Sequence, residues 1–117
     1  MVDTLRVAVV GVGHFGRLHA EKYAALDGAE LIAVVDSDGE RAAEVAGPLG
    51  CRALTDHAEL NGLIDAASLT VPTSLHHQVG RDLLGAGIHL LIEKPITPSV
   101  DAANDLIAVA KARDLTL

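Results

Sequence analysis

Aromatic residues and cysteine are scarce in this chain. Among its 117 residues there is one Phe, one Tyr, one Cys and no Trp, although half of the residues are hydrophobic. The core must therefore be built from Val, Leu, Ile and Ala, which suits a buried parallel sheet covered by helices. A chain of this length is expected to form one domain with a single core. Because Cys51 has no second cysteine to pair with, a reducing cytoplasm is the expected setting.

Basic residues and long apolar runs are also lacking. Lys and Arg number 9 against 16 Asp and Glu, which gives a net charge of −7. This argues against nucleic acid as a partner, because its phosphates need basic groups. No run is long enough to span a bilayer, and the N-terminus lacks the pattern of a signal peptide. The histidines match no common zinc spacing, so we expect no bound metal.

The N-terminal segment has the features of a dinucleotide-binding turn. The apolar run Leu5–Val10 leads into a Gly-x-Gly-x-x-Gly turn made by Gly11, Gly13 and Gly16, and a helical pattern follows. In this fingerprint the first glycine permits the tight turn, the second lets the backbone approach a pyrophosphate, and the third lets the helix pack against the strand. The amides at the start of the helix then point at the phosphates.

A second apolar run ends in Asp36, about 20 residues after the last glycine, where the fingerprint places an acidic residue. This carboxylate would accept hydrogen bonds from the adenine ribose and repel a 2′-phosphate, so the sequence favours NAD over NADP. Ser37 beside it would tolerate a phosphate if the backbone shifted. His14 and Phe15, inside the turn, complete the predicted cofactor-binding residues at this end. The alternative is an ordinary glycine-rich turn beside an ordinary Asp.

Strand-like and helix-like segments alternate along the chain. The predicted strands are Leu5–Val10, Glu30–Val35, Cys51–Leu54, Ala66–Val71 and His89–Ile92, with 115–117 as the start of a sixth. The first two predicted helices are His14–Leu26 and Gly39–Ala46, the second stopped by Gly47-Pro48, and a short helical stretch follows at Asp56–Leu60. The last two begin at a cap: Thr73 or Ser74 for one, and Thr97 followed by Pro98 for the other.

This alternation predicts an α/β fold, a doubly wound parallel sheet of the Rossmann type, with strand order 3-2-1-4-5 and a truncated sixth strand. In that order the carboxyl ends of the first and fourth strands lie side by side, and a ligand is expected in the crevice between them. Gly11, Pro72 and Glu93 each follow the carboxyl end of a strand, so they should meet at one edge of the sheet.

Two later segments make the interpretation more specific. Pro72–His76 crosses from the fourth strand into its helix, and Glu93-Lys94-Pro95 follows the fifth strand. Together with the glycine turn and His19, these segments resemble the glucose–fructose oxidoreductase / inositol dehydrogenase (Gfo/Idh/MocA) family over essentially the whole chain. The resemblance implies a Rossmann domain that binds NAD or NADP. It also implies that this domain is one of the two domains of an oxidoreductase, because family members are two-domain oxidoreductases that act on sugars, cyclitols and related alcohols.

The resemblance also implies roles for single residues. Lys94 matches the family's motif lysine, between the nicotinamide ribose and the substrate hydroxyl, and is the predicted catalytic residue. Glu93 matches the residue that contacts that ribose. The other residues that the resemblance places around the nicotinamide end are Pro72, Thr73 and His76, and we add Pro95 because it fixes the backbone after the lysine.

A lysine at this place suits the chemistry. Hydride removal from a carbinol carbon requires the hydroxyl proton to leave as well, and a cationic Lys94 can stabilise the developing negative charge and relay that proton. Two simpler alternatives remain. Glu93 and Lys94 could form a surface ion pair, and His76 and His77 could be a pair at a helix N-terminus that touches no cofactor.

Family members run to about 300 residues, enough for a second, substrate-binding domain with an acid/base Asp or His. We therefore interpret 1–117 as the cofactor domain alone, excised or truncated, and expect it to bind dinucleotide without turnover. The exposed sheet edge and apolar surface of such a piece make a homodimer plausible. Two other functions stay open: a non-catalytic NAD-binding sensor, and the cofactor domain of a biliverdin- or diol-type reductase.

Overall fold

A computed structural model describes residues 3–117 of the chain. Five strands form one sheet in the order β3-β2-β1-β4-β5, and every neighbouring pair is parallel. The strands are β1 (Leu5–Val10), β2 (Ala29–Val35), β3 (Arg52–Leu54), β4 (Ala66–Leu69) and β5 (His89–Ile92). The predicted fold class and strand order are therefore confirmed.

Helices cover both faces of the sheet, which explains why the strands are almost wholly apolar. They are α1 (His14–Ala25), α2 (Gly39–Leu49), α3 (His76–Gly85) and α4 (Val100–Ala112), with short 3-10 turns at His57–Leu60 and Thr73–Leu75. On one face, side chains of β1 and β2 pack against Ala20 of α1 and Val45 of α2. On the other face, Leu69 of β4 packs with Leu83 of α3 and Leu106 of α4.

The predicted end of the second helix is wrong. Gly47-Pro48 lies inside α2, which continues to Leu49 and ends at Gly50, whose φ is 70°. Proline this close to the end of a helix removes one backbone hydrogen bond without breaking the turns before it. The left-handed conformation of Gly50 is the usual way for a helix to stop.

The predicted starts of the last two helices are also wrong. Thr73 and Ser74 belong to a 3-10 turn, and neither caps α3. Ser99 rather than Thr97 caps α4, because the Ser99 hydroxyl oxygen accepts a hydrogen bond from the amide of Ala102 at 3.2 Å. Thr97 is buried, and its hydroxyl donates to the carbonyl of Ser99. Its side chain therefore closes the loop between β5 and α4.

Residues 115–117 lie beside β5, where a sixth strand was predicted, but they do not form a strand. The amide of Leu90 donates to the carbonyl of Thr116 at 3.0 Å, and the amide of Thr116 donates to Nδ1 of His89. Cys51, just before β3, is half-buried, and this burial raises the pKa of its thiol. None of the helices within residues 3–117 has the length and apolar character needed to cross a membrane.

Candidate functional site

The glycine turn joins β1 to α1 at the carboxyl edge of the sheet. Gly11 has a φ of 90°, and a Cβ atom there would lie 2.6 Å from the amide nitrogen of Val71. The Gly11 amide donates to the carbonyl of Val35 at 2.7 Å, and the hydroxyl of Thr70 donates to the Gly11 carbonyl. Neighbouring strands on both sides, β2 and β4, therefore hold the turn in place.

The other two glycines of the turn have different surroundings. A Cβ on Gly16 would lie 1.8 Å from the carbonyl oxygen of Gly11, so α1 can approach the turn only without a side chain here. A Cβ on Gly13 would meet nothing within 4 Å, and Gly13 faces an open cleft. Gly11 and Gly16 thus permit tight packing, and Gly13 leaves open space in front of α1.

Asp36, at the end of β2, is buried and holds the glycine turn. Its Oδ2 accepts a hydrogen bond from the amide of Val12 at 3.0 Å, and its Oδ1 accepts one from the amide of Asp38 at 2.9 Å. The guanidinium of Arg41 lies 3.6 Å from Oδ2. A carboxylate has about four lone-pair positions, so acceptor capacity remains for a ligand in the cleft.

The cleft, about 490 Å³ in volume, opens at the carboxyl ends of β1, β2 and β4. This is the crevice in which the strand order predicted a ligand. Its polar residues include Asp36, Ser37, Arg41 and Thr70. Thr55 and His57 also line it, and the remaining lining is mostly backbone and apolar: Val10, Gly11, Gly13, Val35, Val71, Pro72, Leu75 and Val79.

Glu93, Lys94 and Pro95 lie at the same sheet edge, after β5, but not in the lining of this cleft. Oε1 of Glu93 accepts a hydrogen bond from the amide of Lys94 at 3.0 Å, and its Oε2 lies 3.5 Å from Nε2 of His19 on α1. The side chain of Lys94 is exposed, and the peptide bond to Pro95 is cis. Helix α1 therefore links the glycine turn to the segment after β5.

His76 is buried behind this segment, with 1% of its surface exposed. Its Nδ1 lies 3.0 Å from the carbonyl oxygens of both Pro95 and Ile96, and its Nε2 lies 2.9 Å from that of Val71. Carbonyl oxygens only accept hydrogen bonds, so a ring nitrogen of His76 that bonds to one of them does so as a donor. The His76 ring ties the end of β4 to the loop after β5, and contact of this ring with a cofactor stays a prediction.

The remaining predicted residues are close to the turn or to α3. His14 and Phe15 are exposed at the start of α1, with their ring centroids 5.1 Å apart. Thr73 is half-buried in the 3-10 turn before α3. His77, which the sequence paired with His76, instead contacts Asp105 on α4 at 2.7 Å. Within residues 3–117 no group of three or more His, Cys, Asp or Glu side chains is placed to hold a metal ion.

Three framework residues were missed in the sequence. Thr70 holds the turn, Arg41 faces Asp36, and Ser68 is a fully buried hydroxyl inside β4. A signal existed for Ser68, because it is the single polar residue in the apolar strand Ala66–Leu69. Thr70 and Arg41 gave no signal, because polar residues after a strand and on a helix are usually solvent-exposed.

This architecture matches a known family. The family model described as "Oxidoreductase family, NAD-binding Rossmann fold" (GFO/IDH/MocA) matches residues 5–117. The chain belongs to this family. The predicted resemblance is confirmed, and with it the assignment as an NAD-binding Rossmann fold.

Individual GFO/IDH/MocA proteins are similar over nearly the whole chain. The UDP-N-acetylglucosamine 3-dehydrogenase of Acidithiobacillus ferrooxidans is 47% identical over 113 residues, and its solved structure superposes with a TM-score of 0.92 over 97% of this chain. An inositol 2-dehydrogenase of Arthrobacter sp. is 41% identical over 111 residues, 92% of this chain. The structure of GenD2, from gentamicin A biosynthesis and in complex with NAD, is 33% identical over 98% of this chain, with a TM-score of 0.90.

The chain spans about a third of the length of these family members. It covers 36% of the Acidithiobacillus protein, 33% of the Arthrobacter protein and 34% of the GenD2 chain. In each comparison, the matched part is therefore only a portion of the longer protein.

Proposed function

We propose that this chain binds NAD in the cleft beside the glycine turn. The observation that carries the proposal is that the N-terminus of a helix and a buried carboxylate line one cleft. Helix α1 begins at His14, its N-cap Gly13 offers no side-chain cap, and its first turn has no acidic residue, so its amides and dipole are available to a pyrophosphate. Asp36, which also lines the cleft, is the acceptor for the hydroxyls of the adenine ribose.

The proposed preference for NAD over NADP depends on the charges around Asp36. A 2′-phosphate at the adenine ribose would be repelled by this carboxylate. Arg41 is the natural cation for such a phosphate, but it already lies 3.6 Å from Asp36 and 3.9 Å from Asp38. Two carboxylates therefore compete with a phosphate for one guanidinium, which supports NAD as the cofactor.

The proposed reaction is hydride transfer between NAD(P) and a hydroxyl-bearing carbon of a sugar, cyclitol or related alcohol. When bound, the nicotinamide supplies the hydride chemistry. Lys94 is proposed to hold the substrate oxygen, stabilise its developing negative charge and move its proton. Glu93 is proposed to accept a hydrogen bond from the ribose of the nicotinamide, and Pro95 to fix the backbone that carries the lysine.

The substrate class rests on the longer relatives. Their names refer to a nucleotide-linked amino sugar and to inositol, which are both polyhydroxylated rings. We propose that 1–117 is the cofactor domain of such an enzyme, and that the substrate contacts come from residues outside this chain. The homodimer and the cytoplasmic location stay predictions.

Titration calorimetry of the chain with NAD and with NADP tests the cofactor proposal. We expect NAD to bind at least about tenfold more tightly than NADP, a difference of about 1.4 kcal/mol, because the extra phosphate faces Asp36. The variant Asp101→Asn removes a carboxylate from the first turn of α4 and is the matched control that should keep the ratio. Equal or tighter binding of NADP would refute the preference, and absence of binding by both would refute the site.

Lys94→Ala separates catalysis from binding. In an oxidoreductase of the relatives' length that carries this domain, we expect kcat to fall about 10²- to 10⁴-fold, the usual contribution of a general acid or base. The affinity for NAD should change by less than about twofold, because the lysine side chain is exposed and lies outside the cleft. Lys111→Ala, in the last turn of α4, is the control. An unchanged kcat in the Lys94 variant would refute the catalytic role of this lysine, and absence of turnover by the unmodified oxidoreductase would favour a non-catalytic sensor.

A further inference from the structure

A row of polar groups leads from Ser68, buried in the core of the sheet, to Glu93, which is half-buried at the sheet edge. The Oγ of Ser68, fully buried in β4, lies 2.7 Å from the hydroxyl of Tyr23 and 2.9 Å from Nδ1 of His19. The other ring nitrogen of His19, Nε2, lies 3.5 Å from Oε2 of Glu93. Burying a hydroxyl is unfavourable unless it is hydrogen-bonded, and Ser68 has partners on both sides.

One assignment of protons gives every group in this row a partner. A carboxylate only accepts, so a proton on Nε2 of His19 would supply the donor that faces Glu93, 3.5 Å away. In a neutral ring the opposite nitrogen, Nδ1, then accepts, and the donor available to it is the hydroxyl of Ser68. Ser68 in turn accepts from the hydroxyl of Tyr23. In this assignment the protons point along the row from Tyr23 toward Glu93.

We propose that His19 is a positioning residue that holds the Glu93 carboxylate in place for the cofactor, an inference that rests on the proposed function. The amide of Lys94 binds one oxygen of this carboxylate, and His19 faces the other. With a backbone amide bound to one oxygen and the His19 ring facing the other, the Glu93 carboxylate is restrained before a ligand arrives, which lowers the entropy lost on binding. Ser68 and Tyr23 act one step further back, by fixing which nitrogen of His19 carries the proton.

Two substitutions at position 19 separate this role from general packing. His19→Gln places an amide near the position of Nε2 and keeps a donor toward Glu93. His19→Asn places its amide near Nδ1, so it keeps a partner for Ser68 and loses the one for Glu93. Binding of NADH and of ADP to the 117-residue chain is measured by calorimetry, because ADP lacks the ribose that Glu93 is proposed to contact.

We expect His19→Asn to weaken NADH binding about tenfold, the usual size of a lost hydrogen bond to a charged group. ADP affinity should stay within about twofold, and His19→Gln should restore most of the NADH affinity. His77→Asn is the matched control, because His77 on α3 also faces a carboxylate, that of Asp105 on α4, but does not line the cleft. It should change neither affinity.

The outcomes distinguish this inference from the proposed function. If the unmodified chain binds neither NADH nor ADP, the proposed function fails, and the inference fails with it. If both bind but His19→Asn leaves NADH affinity unchanged, or lowers ADP affinity equally, only the inference is refuted. Nitrogen-15 NMR of the ring gives an independent readout: a proton on Nε2 of neutral His19 is expected, and a proton on Nδ1 instead would contradict the row.

Discussion

Gly16→Ala is expected to destabilise the domain by about 3 kcal/mol or more, and Gly16→Val to prevent folding. The added Cβ would lie 1.8 Å from the carbonyl oxygen of Gly11 and 2.6 Å from the hydroxyl oxygen of Thr70. Neither atom can yield easily, because Thr70 itself donates to the Gly11 carbonyl and the turn is tied to β2 and β4. The midpoint of urea unfolding, followed by circular dichroism, measures the loss.

Gly13→Ala is the matched control in the same turn. A Cβ there meets nothing within 4 Å, and the φ of Gly13 is −69°, which any residue adopts. The urea midpoint should therefore stay within the equivalent of about 0.5 kcal/mol. The affinity for NAD should fall about tenfold or more, because the methyl group occupies the approach to the helix amides. Equal loss of stability in the two variants would contradict the distinct surroundings of these glycines.

Asp36→Ala is expected to affect both stability and cofactor binding. It leaves the amides of Val12 and Asp38 without their acceptor, and the loss of these two hydrogen bonds should cost about 2 to 4 kcal/mol. NAD affinity should drop at least about tenfold, since the ribose acceptor is lost and the glycine turn is loosened. NADP binding should not improve to the level of NAD in the unmodified chain, because both cofactors use the same turn.

Asp36→Asn separates charge from hydrogen bonding at this site. The amide oxygen can still accept from one of the two backbone amides, so the loss of stability should be smaller than with alanine, and the ratio of NAD to NADP affinity should fall. Asp38→Asn removes the same charge two residues away, but asparagine caps a helix as well as aspartate does, so stability should hold, and the affinity ratio should fall less than with Asp36→Asn because Asp38 lies farther from Arg41. An unchanged urea midpoint in Asp36→Ala would refute the tie to the turn, and an unchanged affinity ratio in Asp36→Asn would refute the role of charge.

The order and type of the strands could be predicted because local pattern and topology agree. Apolar runs such as Leu5–Val10 and His89–Ile92 are strands at those bounds. The ends of helices were less predictable, because several residues compete for one role. Thr97 and Ser99 are equally good caps by type, and burial of the Thr97 side chain decided between them. Pro48 and Gly50 are both stop signals, and the left-handed backbone at Gly50 decided the end of α2.

At the site, the sequence predicted which residues meet at the sheet edge but not what most of them contact. The spacing from Gly16 to Asp36 indicated a shared cleft, and both the turn and the carboxylate are there. That Asp36 also binds the amide of Val12 depends on the exact approach of two loops, which spacing does not encode. Likewise, the tripeptide at Glu93 carried no sign that His19 faces it from another element.

The position of Tyr23 gives the molecule an optical property. The chain has no tryptophan and no other tyrosine, so its ultraviolet emission comes from a single phenol ring. That phenol is hydrogen-bonded to Ser68, and two side chains, Ser68 and His19, lie between it and Glu93. The intensity of tyrosine emission depends on the hydrogen bond of its hydroxyl. Movement of the carboxylate at the sheet edge is therefore expected to change a tyrosine signal that needs no label.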